Sequence, residues 1–202
     1  MKIGPKYKIA RRLGAAVFEK TQTAKFTLSE QKKRQQGGYK RAPSGYGLQL
    51  IEKQRIKYTY GITQRKLANY INEVINSKSK NPAEELFQKL ETRLDSLVLR
   101  SGMAKTRYQA KQAVSHGHFL VNGRKVTVPS MQIKEKDDIV LKEAKKESPL
   151  YLNYAEDSKD LNISTWVIVD PKEMTIKLKG KPTYNPTEVS FDLQKVIQFF
   201  KR

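Results

Sequence analysis

The sequence predicts an α+β protein: a small helical domain and a module in which helices pack on a small antiparallel sheet, preceded by a basic, extended N-terminal region. Three observations carry this expectation. Apolar residues recur every three or four positions over residues 46–60, 63–75 and 82–98. Asn122-Gly123 stands between the apolar runs Phe119 to Val121 and Val126 to Val128, which is the signature of a two-residue hairpin. The 202-residue chain carries 40 Lys and Arg against 20 Asp and Glu, a formal charge of +20. Residues 1–60 hold fifteen of these cations against three acids.

From Met1 to Gly45 short apolar pairs alternate with basic clusters, so sustained structure is expected only as a helical turn or two around Ala10 to Phe18. Gln35 to Gly47, rich in Gly, Pro and Ser, reads as a loop. A helix follows between Tyr46 and Tyr60, with Leu48, Leu50, Ile51 and Ile56 as its apolar stripe and Gln49, Lys53, Gln54 and Lys57 on a polar one. Gly61 ends it. Thr63 caps a second helix that buries Leu67, Tyr70, Ile71, Val74 and Ile75, and Ser77 to Lys80 forms a linker.

Asn81-Pro82-Ala83-Glu84 places Asn at the cap, Pro at the first helical position and a carboxylate at the third, where the helix dipole favours it. The pattern Leu86, Phe87, Leu90, Leu94, Leu97, Val98 predicts one helix from there to Gly102. Thr106 and Gln109 form a capping box for a short helix that stops at Gly117. Further strands are expected at Asp138 to Lys142, Thr165 to Val169 and Met174 to Leu178. Asp192 to Phe200 reads as an apolar docking segment, helical or extended.

The charge calls for a polyanion, whether nucleic acid, an anionic membrane surface or an acidic protein partner, since +20 on one chain repels itself. Without cysteine, disulfides, thiolate zinc sites and Cys nucleophiles are excluded. No apolar run approaches the roughly 18 residues of a membrane span and no secretory leader is visible, so a soluble intracellular protein without a membrane role is expected. No paired carboxylates or nucleophile arrangements stand out; neither catalysis nor a cofactor is expected.

The binding candidates are therefore cations and their polar neighbours. In the N-terminal region these are Lys6, Lys8, Arg11, Arg12, Lys32, Lys33, Arg34, Lys40 and Arg41, interleaved with aromatics such as Tyr46 that can stack on bases, and on the helix that follows Gln49, Lys53, Gln54 and Lys57. On the short helix, 100° per residue puts Arg107, Lys111 and Ser115 within an arc of about 80°, facing outward, while Ala110, Ala113 and Val114 dock on the preceding helix. Arg93 is balanced between contact with a polyanion and pairing with Asp95. Asn122 serves the hairpin, which places Arg124 and Lys125 toward phosphate. His116 and His118 are hydrogen-bonding candidates; two residues apart across a helix end, they lack the third and fourth ligands of a metal site.

The run RLDSLVLRSGMAKTRYQAKQAVSHGHFLVNGRKVTVPS strongly resembles the S4 RNA-binding module. YGLQLIEKQRIKYTYGITQRKLANY resembles the segment preceding that module in the bacterial-type ribosomal protein S4 family, and KIARRLG and TWVIVD extend the resemblance over most of the chain in the right order. The resemblance implies a primary 16S-type rRNA-binding and assembly protein of the small subunit, holding a helix junction in the 5′ domain and contributing to translational accuracy. It implies a cytoplasmic ribosomal location, bacterial or organellar, with the third and fifth small-subunit proteins as neighbours and mRNA passing near Lys40 and Arg41. It also implies domains at 1–45 (basic extension), 46–80 completed by 183–202 (helical), and 81–182 (inserted α+β module).

By the module's motif, Arg93, Thr106, Arg107, Gln109, Lys111, Gln112, Ser115, His116, His118, Asn122, Arg124 and Lys125 face RNA or shape the face that does. Two stretches depart from the family pattern: RQQGGYKRAPSG replaces the usual Pro-Gly-Gln-His-Gly turn, and Lys179-Gly180-Lys181-Pro182 replaces Arg-Pro-Glu-Arg. Two other readings share the same surface. One is an mRNA-binding translational repressor. The other is an RNA-modifying enzyme, because Arg93-Leu94-Asp95 matches a pseudouridine synthase triplet, although here it lies inside the binding module.

Overall fold

The structure, a computed structural model, describes residues 3–36, 42–158, 163–187 and 189–201, without the side chains of residues 33–36, 155 and 157. The chain divides into two compact units, residues 1–86 with 184–202, and residues 87–183.

In the first unit the N-terminal region is more helical than its charge predicted. Helix α1 (Lys6–Leu13) buries Ala10 and Leu13 and stops at Gly14, whose φ of 108° only glycine adopts readily. Two 3-10 turns follow, at Ala15–Val17 and Glu19–Thr21. The fully buried Thr21 hydroxyl locks them by donating to the carbonyls of Ala15 (2.6 Å) and Phe18 (2.8 Å). Helix α2 spans Ala24–Gln36, and its Phe26 packs with Ala10, Leu13, Val17 and Phe18 into a small core. That core offsets the entropy that would otherwise keep the basic segment extended.

Helices α3 (Gly45–Thr59) and α4 (Gln64–Asn76) are capped by Ser44 and Thr63, each accepting a backbone N–H from the first turn. The face α3 buries differs from the expected stripe. Glu52, Lys53 and Ile56 are buried, while Leu48 is exposed. The cause is helix α10 (Leu193–Phe200), which packs along α3 and also meets α4. Glu52 joins the two ends of the unit: it binds Arg55 at 2.6 Å and accepts the Asp192 backbone N–H at 2.9 Å. Arg55 in turn donates to the Leu13 carbonyl at 2.6 Å, closing the C-terminus of α1.

The expected continuous helix from Asn81 to Gly102 is in fact two, α5 (Pro82–Glu91) and α6 (Leu94–Arg100). The interruption comes from a distant segment. Residues 129–133 cross here, and the Pro129 and Met131 carbonyls take the N–H groups of Asp95 and Leu94, at 3.1 and 2.9 Å, while Ile133 donates to Thr92 at 2.9 Å. The donors that open α6 are thus satisfied by another strand of chain rather than by α5.

In the second unit, α6 and α7 (Arg107–Ser115) pack against each other. The antiparallel sheet comprises β1 (Phe119–Val121), β2 (Arg124–Lys125), β3 (Asp138–Leu141), β4 (Val167–Asp170) and β5 (Thr175–Leu178), in spatial order β2-β1-β3-β5-β4. Asn122 and Gly123, at φ 50° and 75°, make the tight turn, so pairing begins at Arg124 opposite Val121 rather than at Val126. Short helices α8 (Glu143–Lys146) and α9 (Tyr154–Asp157) bring Tyr151 and Tyr154 into the core with Leu94, Leu97, Phe119 and Ile139.

The Tyr154 hydroxyl donates to the Ser101 carbonyl at 2.5 Å, and burial pushes both tyrosines up to about 12. An exposed tyrosine in the unfolded chain ionises near 10. The contribution of these two hydroxyls is therefore fully present below pH 10 and is lost as pH rises from 10 toward 12, because the unfolded chain releases these protons first. Urea melts are expected to lose midpoint steadily over that interval, and to lose less in Tyr151→Phe and Tyr154→Phe.

Candidate nucleic-acid interface

The candidate interface of the second unit begins with two buried carboxylates. Glu91, at the end of α5, has no solvent exposure, and Asp95, in the first turn of α6, is almost as enclosed. Arg100 grips Glu91 with two bonds, Nε at 2.8 Å and Nη2 at 3.0 Å, and lies over the Trp166 ring. Arg107 reaches Glu91 at 3.2 Å and the Ser96 hydroxyl at 2.9 Å. Asp95 holds Arg93 through paired bonds of 2.9 and 2.7 Å and lies 3.7 Å from Lys111. Two anions thus organise four cations, leaving a positive excess whose geometry is set before any ligand arrives.

This arrangement changes the assignment of the sequence candidates. Arg93, only 2% exposed, is buried against Asp95, the pairing that the sequence set against ligand contact. Arg107 and Lys111 lean toward the carboxylates and stay partly exposed rather than standing outward. Burial holds Lys111 below the usual lysine range, and the Asp95 charge acts in the opposite sense. Thr106 and Gln109 serve the helix start: Thr106 accepts the Gln109 N–H at 3.1 Å, and the Gln109 side chain accepts the Lys105 N–H at 2.8 Å.

The outward line of α7 consists of Tyr108, Gln112 and Ser115, all exposed and within about 60° of one another by helical rotation. His116 continues it, and Lys105 precedes it. Tyr108, at 65% exposure, was not among the sequence candidates; its position four residues before Gln112 was the available signal.

The hairpin adds Arg124 and Lys125, both exposed. A Cβ at Gly117 would sit 2.2 Å from the Lys125 Cε, so the lysine stem runs across the end of α7. Asn122 is occupied internally. Its amide donates to Asp137 at 2.8 Å and its oxygen accepts the Asp138 N–H at 3.0 Å. The Lys134 N–H and the Asn122 amide hold the Asp137 carboxyl below the usual range. His118 turns inward, its Nδ1 3.1 Å from the Tyr151 hydroxyl, and burial, with Lys145 and His116 nearby, keeps it below the ordinary histidine value. Among the described residues no group of three or more His, Asp or Glu side chains comes together as a metal site, and no helix is long and apolar enough to cross a membrane.

In the first unit Lys8 and Arg12 stand exposed on α1 and Lys32 on α2. Lys6 lies over the Phe18 ring at 5.8 Å, and Arg11 bonds Ser29 at 3.0 Å. Tyr46 is exposed, its ring 5.6 Å from Phe199. Gln49, Gln54 and Lys57 are half-buried, with Lys57 4.9 Å above the Tyr58 ring. Lys53 does not line a polar face: only 6% exposed, its ammonium sits 4.3 Å above Phe199, and burial lowers its pKa. The side chains of Lys33 and Arg34, and all of Lys40 and Arg41, lie outside the described residues.

Residues 1–91 match the family model for the ribosomal protein S4/S9 N-terminal domain, and residues 92–139 match that for the S4 domain. The chain is 37% identical over 202 residues to the small ribosomal subunit protein uS4 of Persephonella marina, covering 98% of this chain and 97% of that one. It is 35% identical over 205 residues to the uS4 proteins of Thermotoga petrophila and Chromobacterium violaceum, at 98% or more of each chain. The chain belongs to the uS4 family. As a uS4 family member it falls in a group of structural proteins and not of enzymes. The S4 domain of this uS4 chain runs from Thr92 to Ile139, and so contains α6, α7 and the hairpin that carries Arg124 and Lys125.

Proposed function

We propose that this chain is a structural component of the small ribosomal subunit that binds 16S-type rRNA directly and early in assembly, at a helix junction of the 5′ domain. The observation that carries the proposal is the near full-length similarity to uS4 proteins of three organisms, in a chain whose S4 domain presents a basic, carboxylate-braced face. On this reading Arg107, Lys111, Arg124 and Lys125 meet phosphates, while Gln112, Ser115, His116 and the ring of Tyr108 meet sugars and bases. Folded RNA is recognised mainly through shape, phosphate and 2′-OH contacts, which suits many moderate donors over a single specific pocket.

Residues 81–182 act as the α+β RNA-binding domain, residues 46–80 with 183–202 as the helical domain, and residues 1–45 as a further basic surface. Lys40 and Arg41 lie toward the place where mRNA enters the subunit, with the third and fifth small-subunit proteins as neighbours. From that position the protein contributes to translational accuracy, in the ribosomes of a bacterial or organellar translation system.

Phosphate contact makes affinity depend on salt, because each neutralised phosphate releases counterions. If six phosphates are met, the affinity for transcribed 16S rRNA is expected to fall about 10³-fold between roughly 50 and 200 mM salt. Filter binding across that range checks it, and an affinity independent of salt contradicts it.

A further inference from the structure

Helices α1 and α3 of the first unit border a cleft of about 330 Å³, at the lower end of the roughly 300–1,000 Å³ of small-ligand pockets. Ile9 and Leu13 from α1 and Leu50 and Ile51 from α3 supply its apolar lining, with Tyr58 as one wall. Lys8 and Arg12, one helical turn apart and both exposed, stand at it from the α1 side. Leu50, Gln54 and Tyr58 follow one another at four-residue steps on a single face of α3, so the Gln54 amide lies between the apolar residue and the ring. The Lys57 ammonium, 4.9 Å over Tyr58, adds a third cation beside it. Among the described residues no carboxylate lines the cleft.

We infer that this cleft takes one unstacked nucleotide of RNA, its base among Ile9, Leu13, Leu50 and Ile51 and its phosphate between Lys8 and Arg12. An apolar slot with cations on one side and no acid complements a flat base joined to an anion. The Gln54 amide supplies the donor and acceptor that a base edge requires. An apolar peptide would leave the cations unmatched, and a basic one would meet only like charge. The inference rests on the rRNA-binding reading above and adds to it a base-binding site in the N-terminal helices.

The test uses the full chain and transcribed 16S rRNA, with ultraviolet crosslinking followed by peptide mapping, and filter binding of two variants. Leu50→Trp fills the slot, and Gln54→Ala removes the polar group. The expected result is a crosslink within residues 8–13 or 50–58 that Leu50→Trp abolishes, with an affinity loss of about tenfold, the scale of one stacked base. Gln54→Ala lowers affinity about threefold or more. Should Leu50→Trp lose its helical circular dichroism, unchanged affinity of Gln54→Ala overturns the inference by itself. Wild-type binding with no crosslink in either segment, or a crosslink that persists in Leu50→Trp, overturns the cleft and leaves the rRNA reading standing. Absence of any 16S rRNA binding overturns both.

Discussion

Glu91→Ala is expected to cost the S4-bearing unit about 3–5 kcal/mol, the usual penalty for removing one partner of a buried ion pair. Glu91 is fully enclosed and binds both Arg100 and Arg107, whose side chains are 34% and 14% exposed. Taking the carboxylate away leaves two guanidinium groups of like charge facing each other in a poorly hydrated place. Glu91→Gln keeps the shape and part of the hydrogen bonding, so it should fall between the two. Urea unfolding measures both, and a loss below about 1 kcal/mol for the alanine variant would contradict the role assigned to the carboxylate.

The second large effect separates two pairs of cations. Arg124→Ala with Lys125→Ala is expected to lower 16S rRNA affinity about 10- to 100-fold while leaving the unfolding midpoint in place, since both side chains are exposed and charge-assisted bonds to phosphate are among the stronger ones. Arg107→Ala with Lys111→Ala should lower affinity comparably and also lower the midpoint, because Glu91 and Asp95 each lose a partner. The contrast is the informative quantity. Equal stability of the two double variants would mean that the buried carboxylates do not depend on the α7 cations.

Features set by adjacent residues were legible in the sequence. The Thr63 and Thr106 caps, the Asn122-Gly123 turn and the strands at Asp138, Val167 and Thr175 depend on local turn chemistry and alternation, and they stand where these place them. What was not legible depends on distant partners. Nothing between Leu90 and Leu94 announces a helix break, because the acceptors that make it belong to Pro129 and Met131. Lys53 has the spacing of a solvated lysine and is buried only because α10 brings Phe199 over it. The same holds for the candidate interface: helical rotation put Arg107, Lys111 and Ser115 on one arc, but it could not show that Glu91, from another helix, would turn Arg107 aside and leave Tyr108 in the outward line. Helix α2 was not legible because its apolar residues lack a periodic stripe; Phe26 in the small core and Ser29, which accepts from Arg11, tie it to the N-terminal helices.

Sucrose-gradient sedimentation of cell extract, combined with RNA crosslinking of the chain, tests the central proposal most directly. Comigration with the small ribosomal subunit, with 16S-type rRNA crosslinked to peptides containing α7 and the β1–β2 hairpin, is the predicted result. Recovery only in the ribosome-free fractions, bound to tRNA or to free mRNA, would contradict it.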